Sequence, residues 1–284
     1  MSERVWDADG VELCTESFGD PSDPPVLLVM GIGASMLWWE ADFCRKLAAG
    51  GRFVVRYDHR DTGRSVTYEQ GRPGYGGADL VGDVVRVLDA YDIPAAHLVG
   101  VSAGGAFAQV VALNHAERVL SLVLISTTCA VPAGRELPPP TQEFLRFVSS
   151  ATVDWSQPSS VVDHVVDHQR VLAGGRRPFD ERAVRDLVRR DVERARDFAA
   201  VRNHDSLESG EPARARLSSI HAPTLVIHGT ADPMFPFPHG EALAEEIRGA
   251  HLLALEDAGH GVDRADWEPI VQAIVAHTSA EGRQ

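Results

Sequence analysis

The sequence predicts an α/β protein: a mostly parallel sheet with helices on both faces, interrupted by a helical insertion. Three observations predict it. Short apolar runs alternate with stretches of helical period from residue 25 to residue 127. The alternation lapses between Val131 and Pro212, and it resumes from residue 224 to His277. Strands alternating with helices are the signature of parallel strands joined by crossover helices.

Taken in order, PVLLVMG (25–31) is an apolar run closed by glycine, the pattern of a strand buried on both faces. An amphipathic stretch, 35–48, follows it, and FVVRYDH (53–59) reads as the next strand. Leu80 to Tyr91 repeats apolar residues at helical spacing, HLVGVS (97–102) is strand, Gly104 to His115 helix, and VLSLVLIST (119–127) strand. In the insertion, helices are expected over Thr141–Ser150, Ser159–Leu172 and Asp180–Arg196, with turns such as Ala173-Gly174-Gly175 between them. The alternation returns with TLVIHG (224–229), a helix near His239–Ile247, HLLALED (251–257) and a last helix over Trp267–His277. Both flanks of the insertion lead into one sheet pattern, so the expected organisation is a core of residues 1–130 and 213–284 with a cap, or lid, of residues 131–212.

Composition narrows the function classes. Hydrophobic residues make up 44% of the 284, enough for a sizeable core. Acidic residues outnumber basic ones, 41 to 27, for a formal charge of −14. That sign disfavours non-specific binding to nucleic acid or anionic membrane. Cys14, Cys44 and Cys129 are odd in number and far apart, which suits reduced thiols rather than a disulfide framework or metal finger. The acidic N-terminus lacks the basic flank and apolar core of a signal peptide. The expectation is a cytoplasmic protein, monomer or homodimer, with a small molecule as its partner.

Chemistry concentrates at three places. Gly100-Val101-Ser102-Ala103-Gly104 directly follows a strand and precedes a helix, the setting of a nucleophile elbow. A side chain at Gly100 or Gly104 would collide with backbone in so tight a turn. A serine hydroxyl needs a base to act as nucleophile at neutral pH. Asp232 lies just past the strand 224–229 and His260 just past the strand 251–257, in the order Ser, Asp, His. Those positions let an oriented imidazole meet Ser102 above the sheet. The oxyanion hole requires two backbone N–H donors. Ala103 at the helix N-terminus is one candidate, and Ile32, in the Gly31-Ile32-Gly33 loop after the first strand, is the other.

The elbow, the Asp232 and His260 placements and the insertion resemble the α/β-hydrolase superfamily over essentially the whole chain. The resemblance implies an eight-stranded sheet and a metal-free, cofactor-free acyl-enzyme mechanism. A narrower likeness rests on Tyr57-Asp58-His59-Arg60-Asp61-Thr62-Gly63-Arg64-Ser65, Val29-Met30-Gly31, the Ser2-Glu3-Arg4 start and Phe18-Gly19-Asp20-Pro21. These are similar to the aclacinomycin methylesterase group and the serine-dependent macrolide esterases. Many relatives have His-Gly where this chain has Met30-Gly31, a change beside a main-chain donor. The likeness implies a bulky polyketide ester as substrate. A macrolide lactone, and hence antibiotic resistance, is the leading expectation. A methyl ester on an anthracycline-like polyketide is the alternative. A cofactor-free perhydrolase or haloperoxidase and a ligand receptor on the same fold are further readings.

Other motifs have plainer accounts. Gly31-Ile32-Gly33 begins like a dinucleotide fingerprint, but Met36 stands where the third glycine belongs. His164 and His168 share a helix face at i and i+4 without a third metal ligand, which reads as a solvated face or as pocket lining. Gly33, Trp38, His164, His168 and Met234 are the candidates for substrate contact. One of Trp38 and Trp39 is expected in the core. Arg60 and Asp61 read as an internal ion pair holding a loop, and the Arg-rich stretch 176–196 as a helix surface of mixed charge.

Overall fold

The computed structural model describes residues 3–207 and 215–279. It holds eight strands and eight α-helices among the described residues. In chain order these are β1 (Arg4–Asp7), β2 (Glu12–Phe18), β3 (Pro25–Val29), α1 (Ala41–Ala49), β4 (Phe53–Tyr57), α2 (Gly77–Ala90), β5 (Ala96–Val101), α3 (Ala103–Asn114) and β6 (Val119–Ile125). There follow α4 (Gln142–Ser150), α5 (Pro158–Leu172), α6 (Glu181–Arg194), β7 (Thr224–Gly229), α7 (Pro238–Glu246), β8 (His251–Leu255) and α8 (Trp267–His277). The sheet runs β1-β2-β4-β3-β5-β6-β7-β8. Pairing is antiparallel from β1 to β2 and from β2 to β4, and parallel everywhere else.

Side chains alternate across each strand, and this separates the core into two layers. Leu27, Val29, Leu98, Leu122, Leu124 and Val226 face a layer completed by α2, α3 and α7. Their neighbours Val26, Leu28, Val99, Val101, Val123 and Ile227 face a layer completed by α1 and α8. An apolar run without alternating polarity is therefore required, because each central strand has helices above and below it. β1 and β2 lie outside the alternation read from the sequence, as short, mixed-polarity strands at the antiparallel edge.

The helix expected over 35–48 starts later, at Ala41. Before it stands a short 3₁₀ turn, Met36–Trp38, whose backbone is claimed by other groups. Asp58 accepts the Met36 N–H at 2.9 Å, and the Arg56 guanidinium donates to the Met36 and Trp39 carbonyls. Trp39 is the core tryptophan, stacked on Phe43 with ring centroids 5.5 Å apart.

Between β6 and β7 the chain leaves the sheet for α4, α5, α6 and a 3₁₀ stretch, Phe198–Ser206. Val162 and Val166 of α5 pack against Val188 of α6, and Trp38 from the loop after β3 wedges against this small cluster. The expected boundary at 212/213 lies outside the described residues. Among the described residues no helix is long and apolar enough to cross a membrane.

Two charge expectations change. Arg60 pairs with Asp83 of α2 rather than with Asp61, through two hydrogen bonds of 2.7 and 2.8 Å. Asp61 instead accepts from the Tyr75 hydroxyl, the Asn203 amide and the Tyr68 N–H. Adjacent residues at a sharp turn point apart, and the Asp83 carboxylate offers the planar guanidinium the two-pronged geometry it needs. In the stretch 176–196, Asp191 and Arg194 turn inward while Arg189 and Arg190 stay exposed. Removing one partner of a buried pair strands the other charge. Asp83→Ala is therefore expected to cost about 3–5 kcal/mol, read as a lower urea midpoint at unchanged slope.

Candidate active site

Ser102 alone forms the turn between β5 and α3, at φ 54° and ψ −127°. A left-handed φ strains a residue with a side chain, so neighbouring groups must hold it. The Ser102 N–H donates to the Ile125 carbonyl of β6 at 3.0 Å, and the Thr127 hydroxyl donates to the Ser102 carbonyl at 2.6 Å. The flanking glycines are sterically required. A Cβ on Gly100 would overlap the backbone of Gly104 and Gly105, and one on Gly104 would overlap the Val29 and Met30 carbonyls.

The loop after β3 runs against the elbow. A Cβ on Gly31 would lie 3.1 Å from the Ser102 Cβ and 3.6 Å from its Oγ. The Met30 carbonyl accepts from His59 Nε2 at 2.8 Å, and burial pushes the His59 imidazole below its ordinary pKa. Gly33, at φ 80°, gives its N–H to His204 Nδ1 at 2.9 Å. The N–H of Ile32 and that of Ala103, the first residue of α3, have no acceptor among the described residues. The Ile32 side chain is exposed.

Asp232 follows β7 in a turn that its own side chain organises. One carboxylate oxygen accepts the Met234 and Phe235 N–H groups at 2.9 and 2.8 Å. The other lies 2.8 Å from His260 Nδ1. Burial would raise this carboxyl. The His260 charge and hydrogen bond, the Phe235 N–H and His228 outweigh burial and hold it below its ordinary 3.8. The His260 N–H donates to the Leu172 carbonyl at the end of α5 (2.8 Å), and the Gly261 N–H to Ser126 Oγ (3.1 Å). His260 is thus seated between the sheet and the insertion, with Nδ1 committed to Asp232. The structure brings His260 onto Asp232 and Gly31 against Ser102, while no hydrogen bond joins Ser102 to His260 among the described residues.

The other candidates divide. Trp38 donates its indole N–H to Asp191 at 2.9 Å and packs on the insertion. Met234 contributes its backbone N–H to the Asp232 turn. His164 and His168 do not form a solvated face. Phe147 stacks on both, at 5.6 and 5.5 Å, and Trp155 stands edge-on to His164 at 6.0 Å. Burial, with His164 and His260 adding to it, pushes His168 down to about 4, and its buried Nε2 has no partner among the described residues.

Three residues near the site escaped the sequence reading. His228, within β7, places Nε2 3.6 Å from the Asp232 carboxylate and 2.7 Å from the Phe235 carbonyl. A histidine inside the otherwise apolar run TLVIHG was the available signal. Asp191 and His204 reach the site from the insertion, and single polar residues on helices carry no such signal.

A family model described as alpha/beta hydrolase fold matches residues 24–262. Rhodomycin D methylesterase DauP of Streptomyces sp. (strain C5) is 35% identical over 295 residues, covering 99% of each chain. Rhodomycin D methylesterase DnrP of Streptomyces peucetius is 34% identical over 295 residues, again covering 99% of each. Among solved structures, a hydrolase from Pseudomonas aeruginosa PA01 superposes with a TM-score of 0.70 at 28% identity, covering 98% of this chain and 99% of that one.

Asp232→Asn keeps the shape of the turn but favours the wrong imidazole tautomer, so ester turnover is expected to fall about 10⁴-fold. The carboxyl's folded pKa lies below its unfolded one. Its stabilising effect is therefore complete above the ordinary aspartate range and lost as pH falls through the folded value. Thermal melts from pH 6 to pH 3, with the melting temperature falling less steeply in the Asn variant than in the native protein, are the expected result.

Proposed function

This chain belongs to the α/β-hydrolase fold family, and from that premise we propose that it is a serine carboxylesterase that removes the methyl ester of an anthracycline-type polyketide. The end-to-end likeness to two rhodomycin D methylesterases carries the substrate class. The Asp232–His260 contact, with Ser102 set against Gly31, supports the mechanism.

In this reading Ser102 Oγ attacks the ester carbonyl while His260 Nε2 takes its proton. Asp232 holds the imidazole and stabilises its charged form. The Ile32 and Ala103 N–H groups receive the oxyanion as it develops. The tetrahedral intermediate collapses, His260 returns the proton to the methoxide oxygen, and methanol leaves an acyl-Ser102. A water deprotonated by His260 then releases the carboxylic acid and restores the hydroxyl. Nothing in the sequence of steps requires a metal or a cofactor.

The insertion, residues 131–212, serves in this reading as a cap over the ester. Phe147 stacks on His164 and His168 between α4 and α5, with Phe144 tilted against His168 and Trp155 edge-on to His164. Offset stacking on such a surface suits a flat polycyclic ring system. The two methylesterase relatives support the methyl ester over the macrolide lactone that leads from sequence alone.

The test is mass spectrometry on a rhodomycin-type methyl ester, an aclacinomycin-type methyl ester and a panel of macrolides, using the native protein and Ser102→Ala. The expected product is about 14 Da lighter than the anthracycline, methyl having been replaced by hydrogen through the acyl-enzyme. It is absent with the variant. A macrolide heavier by about 18 Da, the addition of one water across the lactone, would return the assignment to ring opening. Peroxide-dependent halogenation exceeding hydrolysis would favour the perhydrolase. Failure to turn over any ester, with saturable ligand binding, would favour a receptor.

A further inference from the structure

We propose that His204, from the 3₁₀ stretch Phe198–Ser206 of the insertion, is a positioning residue for the oxyanion loop, an inference that rests on the hydrolase reading above. Its ring bridges two backbone groups. Nδ1 lies 2.9 Å from the Gly33 nitrogen and Nε2 lies 2.9 Å from the Arg60 carbonyl oxygen. A carbonyl oxygen only accepts, so Nε2 carries the proton and donates. Nδ1 is then bare and accepts from the Gly33 N–H. Burial, with His59 adding to it, pushes this imidazole down to about 4. The neutral tautomer is therefore the working form at neutral pH.

One end of this strut is fixed. Arg60 is anchored by its two-pronged pair with Asp83, a carboxylate with no exposed surface. The other end is the loop that must supply an oxyanion donor. Holding the Gly33 N–H sets the plane of the Ile32–Gly33 peptide and engages that N–H with the imidazole. The Ile32 N–H, one peptide upstream and next to the Gly31 that abuts Ser102, remains free. Asp191 braces the same loop farther along, accepting from Ser35 Oγ at 2.5 Å and the Trp38 indole at 2.9 Å. Oxyanion donors act by being in place before charge develops, and a displacement of about 1 Å can cost about 10²-fold in rate. His204 therefore acts on kcat through the loop, without touching the substrate.

Two isosteric substitutions separate positioning from simple packing. In His204→Asn the amide oxygen falls near Nδ1 and still accepts from Gly33. In His204→Gln the amide reaches the Nε2 position toward Arg60 and leaves Gly33 without its acceptor. With p-nitrophenyl acetate as substrate, kcat is expected to fall about 10- to 100-fold in the Gln variant, with KM within about 3-fold. The Asn variant is expected to stay within about 3-fold of native. The inhibition constant of a trifluoromethyl ketone, which forms a tetrahedral adduct on Ser102, should weaken in step with kcat/KM. Equal kcat in the two variants, or a loss confined to KM, overturns the assignment, as does unfolding of the Asn variant.

A measurement on the native protein stands beside these. With ¹⁵N-labelled histidine, the unprotonated Nδ1 resonance that the Asn variant lacks is expected to move when the ketone adduct forms. A resonance that stays still overturns the assignment. A native protein that neither cleaves the p-nitrophenyl ester through Ser102 nor binds the ketone removes the hydrolase reading itself, and this inference with it. That outcome differs from the loss in the Gln variant alone that His204 predicts.

Discussion

A carboxylate with no exposed surface, Asp58 just past the end of β4, ties together three segments of the chain. One oxygen accepts the Met36 N–H of the loop after β3. The other accepts the Arg64 N–H of its own loop and pairs with Arg194 of α6 at 2.8 Å. A buried carboxylate is costly unless its oxygens are all engaged, and these are. The approach is close enough that a side chain on Gly63 would overlap both the carboxylate and Arg194. The loop facing Ser102, the loop that carries Arg60 and helix α6 of the insertion are therefore joined through one charge. Arg194 carries the link outward to Glu3 at the N-terminal edge, 2.7 Å away.

This anchoring changes how the insertion should be seen. It contributes directly to the loops after β3, β7 and β8. Leu172 accepts the His260 N–H, and Gly174 sits where any side chain would overlap the Ala231 carbonyl beside Asp232. Asp191 and His204 hold the loop after β3. Arg177 reaches Asp266 with contacts of 2.7 Å to both carboxylate oxygens. Most of these are main-chain or buried polar contacts, and leaving such a buried group unpaired costs about 1–3 kcal/mol. α4 is different in character: Leu145 and Val148 are exposed on it, and Thr141, which caps it, donates its N–H to the Pro233 carbonyl.

Local sequence made the core legible where local physics decides it. The central strands read as apolar runs because helices cover both faces, and the two layers of the core follow from side-chain alternation alone. The glycines around Ser102 were readable because a strand-to-helix turn leaves no room for a Cβ. Asp232 and His260 were readable as candidates because each stands just beyond the end of a strand. β1 and β2 were less legible, since an edge strand need not be apolar on both faces. The late start of α1 could not be read, because helical spacing from 35 to 48 is silent about Asp58 and Arg56 claiming the intervening backbone. Arg60 and Asp61 show the same limit: neighbours in sequence suggested a pair, and guanidinium geometry chose Asp83.

The sequence by itself determined the alternation of strand and helix, the length of the interruption, the strained turn at Ser102 and the order of the three chemical residues. Each of these is a matter of spacing, steric room or side-chain chemistry within a few positions. Only the tertiary structure decided that His260 Nδ1 meets Asp232, that His168 faces aromatic rings, and that Asp191 and His204 hydrogen-bond to the loop beside Ser102. Those residues lie up to 171 positions from the groups they touch. What commits a lone buried Asp or His to one partner is the cost of leaving its polar atoms unpaired, and that cost exists only once the chain has closed around it.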